Sequence, residues 1–336
     1  MEKVILVLRP GQAPVTWQRF CETHPYYSIA LDGYVRGRSR YDPSGPWLTL
    51  DHHEDVDRLS SRATCSQVLL SLRQGLYEVF QCDQEPYAKV FANDCDEDVC
   101  VSWYLLQNPV AACLPSNRRL ERLVHAADWL DTTAGALVHP LDETLMGELA
   151  WVFAPYREAR QQGALDGFEV PVYRDVIDAV SERIQDHLAD QGGSIRLDTR
   201  FERVGGDASW AMVHEIGSDA RAGLVGNGIR AYVSVRPRMD GAWSYTVGRV
   251  SPFVAFDVER ILARLNAAES PERGRWGGGT LVGGSPRRLG STLPPSEVEN
   301  IVNDVLAASV RPEARRSKPA RLFDSAGDAV ALTCGH

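Results

Sequence analysis

Short apolar runs alternate with helix-like segments through the first hundred residues, and that alternation limits the fold more than any other feature. Val4 to Leu8, Tyr27 to Leu31, Trp47 to Leu50 and Tyr87 to Ala92 have the length and apolar content of buried strands. Thr64 to Leu72 and Val101 to Leu106 carry helical spacing. Strands alternating with helices predict an α/β fold whose mostly parallel sheet is covered on both faces. In such sheets ligands gather at the carboxyl ends of the strands, so polar residues directly after each apolar run are the first candidates for function.

The pattern from Leu141 to about Ala189 is helical, and Gln191-Gly192-Gly193 breaks it. A second α/β unit follows, with strands over Trp210 to Glu215, Ile229 to Val235 and Trp243 to Val247 and helices near Asp219 to Leu224 and Val258 to Ala267. The expected layout is a catalytic α/β domain over 1–150, a helical connector over 151–195, a smaller α/β domain over 196–311 and a tail over 312–336. A chain of 336 residues has the length for two such domains. No run nears the roughly 18 apolar residues of a membrane span, so a membrane partner is not expected. The apolar stretch before Pro10 is too short for a secretory core, and seven cysteines without a Cys-x-x-Cys pair fit a reducing cytoplasm. A net charge of −9 argues against sequence-independent binding of long nucleic acid, which needs many Lys and Arg on phosphates. It leaves room for a small anionic substrate held by a few arginines.

Three polar clusters follow the apolar runs of the first domain. Asp51-His52-His53 comes straight after Leu50 and combines carboxylate with imidazole, a donor set suited to first-row divalent metals. The competing reading is a polar loop. Asp94, Asp96, Glu97 and Asp98 follow Phe91 and Ala92. Carboxylates packed this densely repel unless a cation offsets them. With an extended backbone Asp94, Asp96 and Asp98 would point to one side and could share two metals, and the alternative is an acidic helix start. His125 and Asp128 have the i,i+3 spacing of one helix face, whereas Asp131 and Thr132 suit a cap. Asp32, before Gly33, is either a turn residue or a further ligand.

Together these residues resemble the DHH phosphoesterase superfamily. Asp51-His52-His53 is similar to its namesake motif, and Asp94-Cys95-Asp96-Glu97-Asp98-Val99-Cys100-Val101-Ser102 to its spaced aspartates before a small hydroxyl residue. Downstream, Gly277-Gly278-Gly279-Thr280 resembles the glycine-rich loop of the DHH-associated domain, and Ser234-Val235-Arg236 its Ser-x-Arg strand. The chain departs from the family in three places: Asp-His-His precedes the aspartate-rich motif, Ala92 stands where a histidine is common, and Thr280 ends the glycine loop in place of histidine.

The resemblance implies a cytoplasmic two-domain hydrolase with two metal ions, manganese first and magnesium or cobalt as alternatives. Asp94, Asp96, Asp98, His53 and Asp128 would hold the metals, with Asp32 as a candidate bridging ligand. His52 would contact the phosphoryl oxygens and Asp51 would fix a histidine tautomer. Arg236 with Gly277, Gly278, Gly279 and Thr280 would grip a small anionic phosphorylated or nucleotide substrate, and a homodimer is left open. Two other functions fit the same residues: hydrolysis of an amide or other C–N bond in a specialised metabolite, since a Lewis acid polarises carbonyls too, and a catalytically inactive nucleotide-binding module.

Overall fold

The computed structural model describes residues 4–56, 60–114, 116–133, 135, 142–286 and 288–310, so the expected tail lies outside the described residues. The first sheet forms from the apolar runs. In chain order come β1 (Val4–Leu8), α1 (Trp17–Thr23), β2 (Ser28–Leu31), β3 (Arg40–Asp42), β4 (Trp47–Leu50), α2 (Thr64–Arg73), α3 (Leu76–Val79), a small hairpin of β5 (Gln81–Cys82) and β6 (Glu85–Pro86), β7 (Ala88–Ala92), α4 (Glu97–Gln107), α5 (Pro109–Cys113) and α6 (Arg118–Thr132). The strand order is β1-β7-β2-β4-β3. The pairings β1 with β7, β7 with β2 and β2 with β4 are parallel, and only the edge strand β3 runs antiparallel.

β2 is buried along its whole length because helices cover both faces of the sheet, which is why its sequence is a continuous apolar run rather than an alternating one. On one face Leu6, Ile29, Leu31 and Val90 pack against Val68 of α2, Val99 and Leu105 of α4 and Leu123 of α6. The other face is closed by Phe20 of α1 with Tyr34, Val35 and Phe91. Three further helices, α7 (Glu143–Val152), α8 (Ala154–Gln161) and α9 (Val170–Leu188), place Leu149, Val152, Phe153, Ile177 and Ile184 in the same core as the first sheet. They are part of that core rather than a free connector, and residue 150 lies inside α7.

A second sheet has its own hydrophobic cluster. Its elements are β8 (Phe201–Gly206), β9 (Ala211–Glu215), α10 (Ala220–Gly226), β10 (Ala231–Pro237), β11 (Trp243–Arg249), α11 (Val258–Ala268), β12 (Gly277–Gly278), β13 (Val282–Gly284) and α12 (Pro295–Val310). The order is β12-β13-β11-β10-β9-β8, and only β9 and β10 are parallel. Val233, Val235 and Val247 pack there against Ile261 and Leu265 of α11 and Val298 and Val302 of α12. Both sheets are therefore mixed. The α/β class holds, while a mostly parallel sheet describes only the first one. Among the described residues no helix is long and apolar enough to cross a membrane.

Leu31 ends β2 fully buried, one residue before Asp32. We expect Leu31→Ala to destabilise the protein by about 2 to 5 kcal/mol, the range for a buried Leu truncation. Urea unfolding checks this, and a loss below about 1 kcal/mol would contradict the packing described for β2.

Candidate metal centre

Because β7, β2 and β4 are parallel neighbours, the residues after Ala92, Leu31 and Leu50 emerge at one edge of the sheet. Asp32 follows β2 with a left-handed φ of 47°, a conformation that Asp tolerates better than most residues, and Gly33 continues the turn at 75°. Its backbone N–H donates to the Leu50 carbonyl at 2.9 Å, which ties the end of β2 to β4. After β4, the Asp51 carboxylate accepts the backbone N–H groups of His52 at 2.8 Å and His53 at 3.1 Å. Asp51 thus shapes the turn that presents both imidazoles and touches no ring. Its own carboxyl is pushed up by burial.

His52 is the hub. Its Nε2 lies 2.6 Å from Asp131 Oδ2, 3.4 Å from Asp32 Oδ1 and 3.7 Å from Asp98 Oδ2. The side chain is 1% exposed. Three carboxylates thus converge on one buried ring nitrogen, and Asp131 makes the shortest contact. Burial disfavours charge on the ring, but Asp131 and Asp32 outweigh it and hold its pKa up to about 11. His53 is half-exposed and donates from Nε2 to Asp32 Oδ1 at 2.8 Å, which raises its pKa.

Two groups of potential ligands result, Asp32 with His52 and His53, and His52 with Asp98 and Asp131, each with ligating atoms within 4.8 Å of one another. The donor set is carboxylate and imidazole, and its ligating atoms converge on shared points, so the residues fit a divalent cation.

The acidic motif differs from its extended expectation. Asp96 caps α4 by accepting the Val99 N–H at 3.0 Å, and Asp98 sits in the first helical turn, where the helix dipole favours negative charge. Asp98 then reaches α2: its two oxygens accept the backbone N–H groups of Cys65 and Thr64, each at 2.7 Å. Burial and the charges of Asp32 and Asp131 push its pKa up to about 7. Asp96 is raised well above the ordinary range by burial and by Asp32, Asp94, Asp98 and Asp131, which places all five carboxylates in one electrostatic neighbourhood. Asp94 Oδ1 accepts the Cys95 N–H at 2.7 Å. Neither Asp94 nor Asp96 joins a three-residue ligand group among the described residues.

Asp128 and Asp131 exchange the roles expected of them. Asp128 is buried and committed to α2, its Oδ1 accepting the Ala63 N–H at 2.6 Å and its Oδ2 accepting from Arg62 Nη1 at 3.2 Å. Asp131, one turn further on, is the residue beside His52. His125 instead lies against Trp129 with the rings tilted by 40° and their centroids 5.1 Å apart.

The second sheet does not bring its expected substrate residues together. Arg236 pairs with Glu215, whose side chain is nearly buried. Gly277 to Thr280 are no open loop but the edge and turn of a β12–β13 hairpin. Gly278 has no space for a Cβ, which would stand 2.2 Å from Gly283 Cα. Arg236 is paired to Ser244 on β11, and β12 lies three strand spacings from β10, about 14 Å at the usual separation.

No protein-family model matches this sequence, and none of the curated proteins matches it significantly.

The different duties of Asp128 and Asp131 predict unequal stability effects. Asp128→Ala leaves the buried Ala63 N–H unpaired and should cost about 1 to 3 kcal/mol. Asp131→Ala removes the carboxylate beside His52 but also relieves repulsion among the acidic residues, so it should cost less than Asp128→Ala. Denaturant melts of the two variants test the assignment, and the reverse ranking would overturn it.

Proposed function

We propose that this protein is a divalent-metal-dependent hydrolase acting on a small phosphoester, with its metal ligands at the carboxyl edge of the first sheet. The observation that carries this reading is His52, a buried imidazole shared by two ligand groups, whose Nε2 lies within 3.7 Å of Asp131, Asp32 and Asp98. The resemblance to DHH phosphoesterases supplies the bond type and favours manganese over magnesium or cobalt. We read the two hydrophobic clusters as two domains, with the chemistry confined to the first.

In this reading Asp32, His52, His53, Asp98 and Asp131 hold the metal, and Asp94 and Asp96 add negative charge beside it. Divalent cations held there would supply polarisation of a phosphoryl oxygen and activation of water. The protein's own part is orientation. Asp51 fixes the His52-His53 turn through two backbone N–H groups, and the α2 N–H groups of Thr64 and Cys65 fix the Asp98 carboxylate while leaving each oxygen further lone pairs. Thr64 Oγ1 donates to Asp32 Oδ1 at 3.2 Å and steadies the carboxylate shared by both histidines.

His52→Ala should lower Mn²⁺ affinity by more than about 100-fold, beyond the 10- to 100-fold typical of losing an outer partner of a ligand, because both groups lose their common member. His53 belongs to one group and is half-exposed, so His53→Ala should cost about 10-fold or less. Calorimetric Mn²⁺ titration measures both. Asp131→Asn should abolish hydrolysis in a panel of phosphodiesters, dinucleotides, short oligonucleotides and amides while the fold persists. A wild-type protein that binds no Mn²⁺ and turns over none of the panel would remove the proposal, and turnover of amides alone would move it to C–N bonds.

A further inference from the structure

Arg62 is exposed, yet both of its ends are fastened. Its guanidinium Nη1 donates to Asp128 Oδ2 at 3.2 Å, and Asp128 is itself almost wholly buried while Arg62 keeps 61% of its side chain open. Its backbone carbonyl accepts from Gln67 Nε2 at 2.7 Å, and the same nitrogen donates to the Asp51 carbonyl at 3.0 Å. The Ser39 hydroxyl donates to Gln67 Oε1 at 2.6 Å, so the amide cannot swing away. The residue that follows Arg62 begins the run Ala63, Thr64 and Cys65 whose N–H groups hold Asp128 and Asp98. Arg62 is thus anchored through its backbone to the turn bearing His52 and His53, and through its side chain to the helix bearing Asp131 one turn beyond Asp128.

The pair with buried Asp128 engages one guanidinium nitrogen and does not by itself require a brace on the Arg62 backbone. An anion receptor does need one, because an arginine ordered in advance loses less entropy when it binds. One of five guanidinium N–H donors faces Asp128 in this contact, and the fork geometry of the others matches two oxygens of a phosphate. The substrate must also enter a site crowded with carboxylates, which repel a phosphoryl group unless cations stand at the mouth.

We propose that Arg62 is the substrate-binding arginine of this site, that it takes a terminal phosphate or phosphodiester oxygen beside the metal ligands, and that Asp128 and Gln67 are its positioning residues. The proposal rests on the metal-dependent reading above.

The test is calorimetry at fixed ionic strength with two probes, Mn²⁺ into the metal-free protein and inorganic phosphate into the Mn²⁺-loaded protein, for wild type, Arg62→Ala and Arg62→Lys. Arg62→Ala should weaken phosphate by about 10- to 100-fold, the scale of a charge-assisted hydrogen bond, and leave Mn²⁺ affinity unchanged. Arg62→Lys, which keeps charge and loses the fork, should fall between, and it decides the matter if the alanine variant does not fold. Phosphate binding within twofold of wild type in the variants overturns the role of Arg62 while normal Mn²⁺ binding leaves the hydrolase reading standing. Parallel loss of Mn²⁺ and phosphate also overturns it, because Arg62 would then be serving the carboxylates. A wild-type protein that takes up no Mn²⁺ removes the metal reading and this proposal together, and one that takes up Mn²⁺ but no phosphate removes this proposal alone.

Discussion

The N-terminus of α2 has no side chain of its own to satisfy it, since Ala63 stands at the cap position. Its leading N–H groups go instead to carboxylates from two other helices: Ala63 to Asp128 of α6, Thr64 and Cys65 to Asp98 of α4. Unpaired N–H donors at a helix start carry partial positive charge, so buried carboxylates are stabilised there as they would not be in an apolar setting. This exchange docks α2, α4 and α6 against one another and sets the place of every ligand they carry. The α2 N–H groups offset part of the cost of burying the Asp98 carboxylate. Once Asp128 is spent on the same helix start, the next carboxylate along α6 is the one that meets His52.

That arrangement concentrates negative charge to a degree a stable core would avoid. Asp32, Asp96, Asp98 and Asp131 influence one another strongly enough to raise Asp96 and Asp98 above the carboxylate range, while two imidazoles overcome burial and hold Asp32 below it. Without a metal, protons are the available counter-charge: Asp131 and Asp32 push the His52 pKa up, and burial with Asp32 and Asp131 pushes the Asp98 pKa up. A cation with the same ligands would replace those protons, which is the general linkage between metal binding and proton release. The local conflict between like charges runs against stability, and conflicts of this kind are characteristic of functional sites.

The strands were legible because buried parallel strands are written as continuous apolar runs, and Val4 to Leu8 and Trp47 to Leu50 fall where that rule puts them. The start of α4 was not. The helix reads from Val101 in the sequence, whereas it begins at Glu97, because Glu97 and Asp98 open it with charge and belong visually to the acidic run before it. Gly277 to Thr280 suggested a loop for a related reason: glycine carries no strand preference, and only pairing with β13 makes an edge strand of it. Within the site, Asp51, His52, His53 and Asp98 were visible as polar residues at strand and helix ends. The choice between Asp128 and Asp131 was beyond the sequence, since they lie one turn apart on one helix and only the position of α2 separates them. Arg62 gave no signal at all, because its partner is 66 residues away.

The unusual order of motifs along the chain also finds a physical account in the sheet. What the chemistry needs is that three loops leave the same edge of adjacent parallel strands, and the register supplies it: Leu31 is level with Leu50, and Ala30 with Phe91, so Asp32, Asp51 and Asn93 emerge side by side. Strand neighbours are about 4.8 Å apart, which brings side chains on those loops within reach of shared ligands. The connections decide only when each strand is made. Here the chain builds β2 and β4 first and returns through α2 to insert β7 between β1 and β2, so the acidic motif comes last in sequence and still stands beside Asp32. The edge strand β3 shows the limit of this freedom. It runs antiparallel to β4, its carboxyl end faces the opposite edge, and the residues that follow it cannot contribute to the site whatever their chemistry.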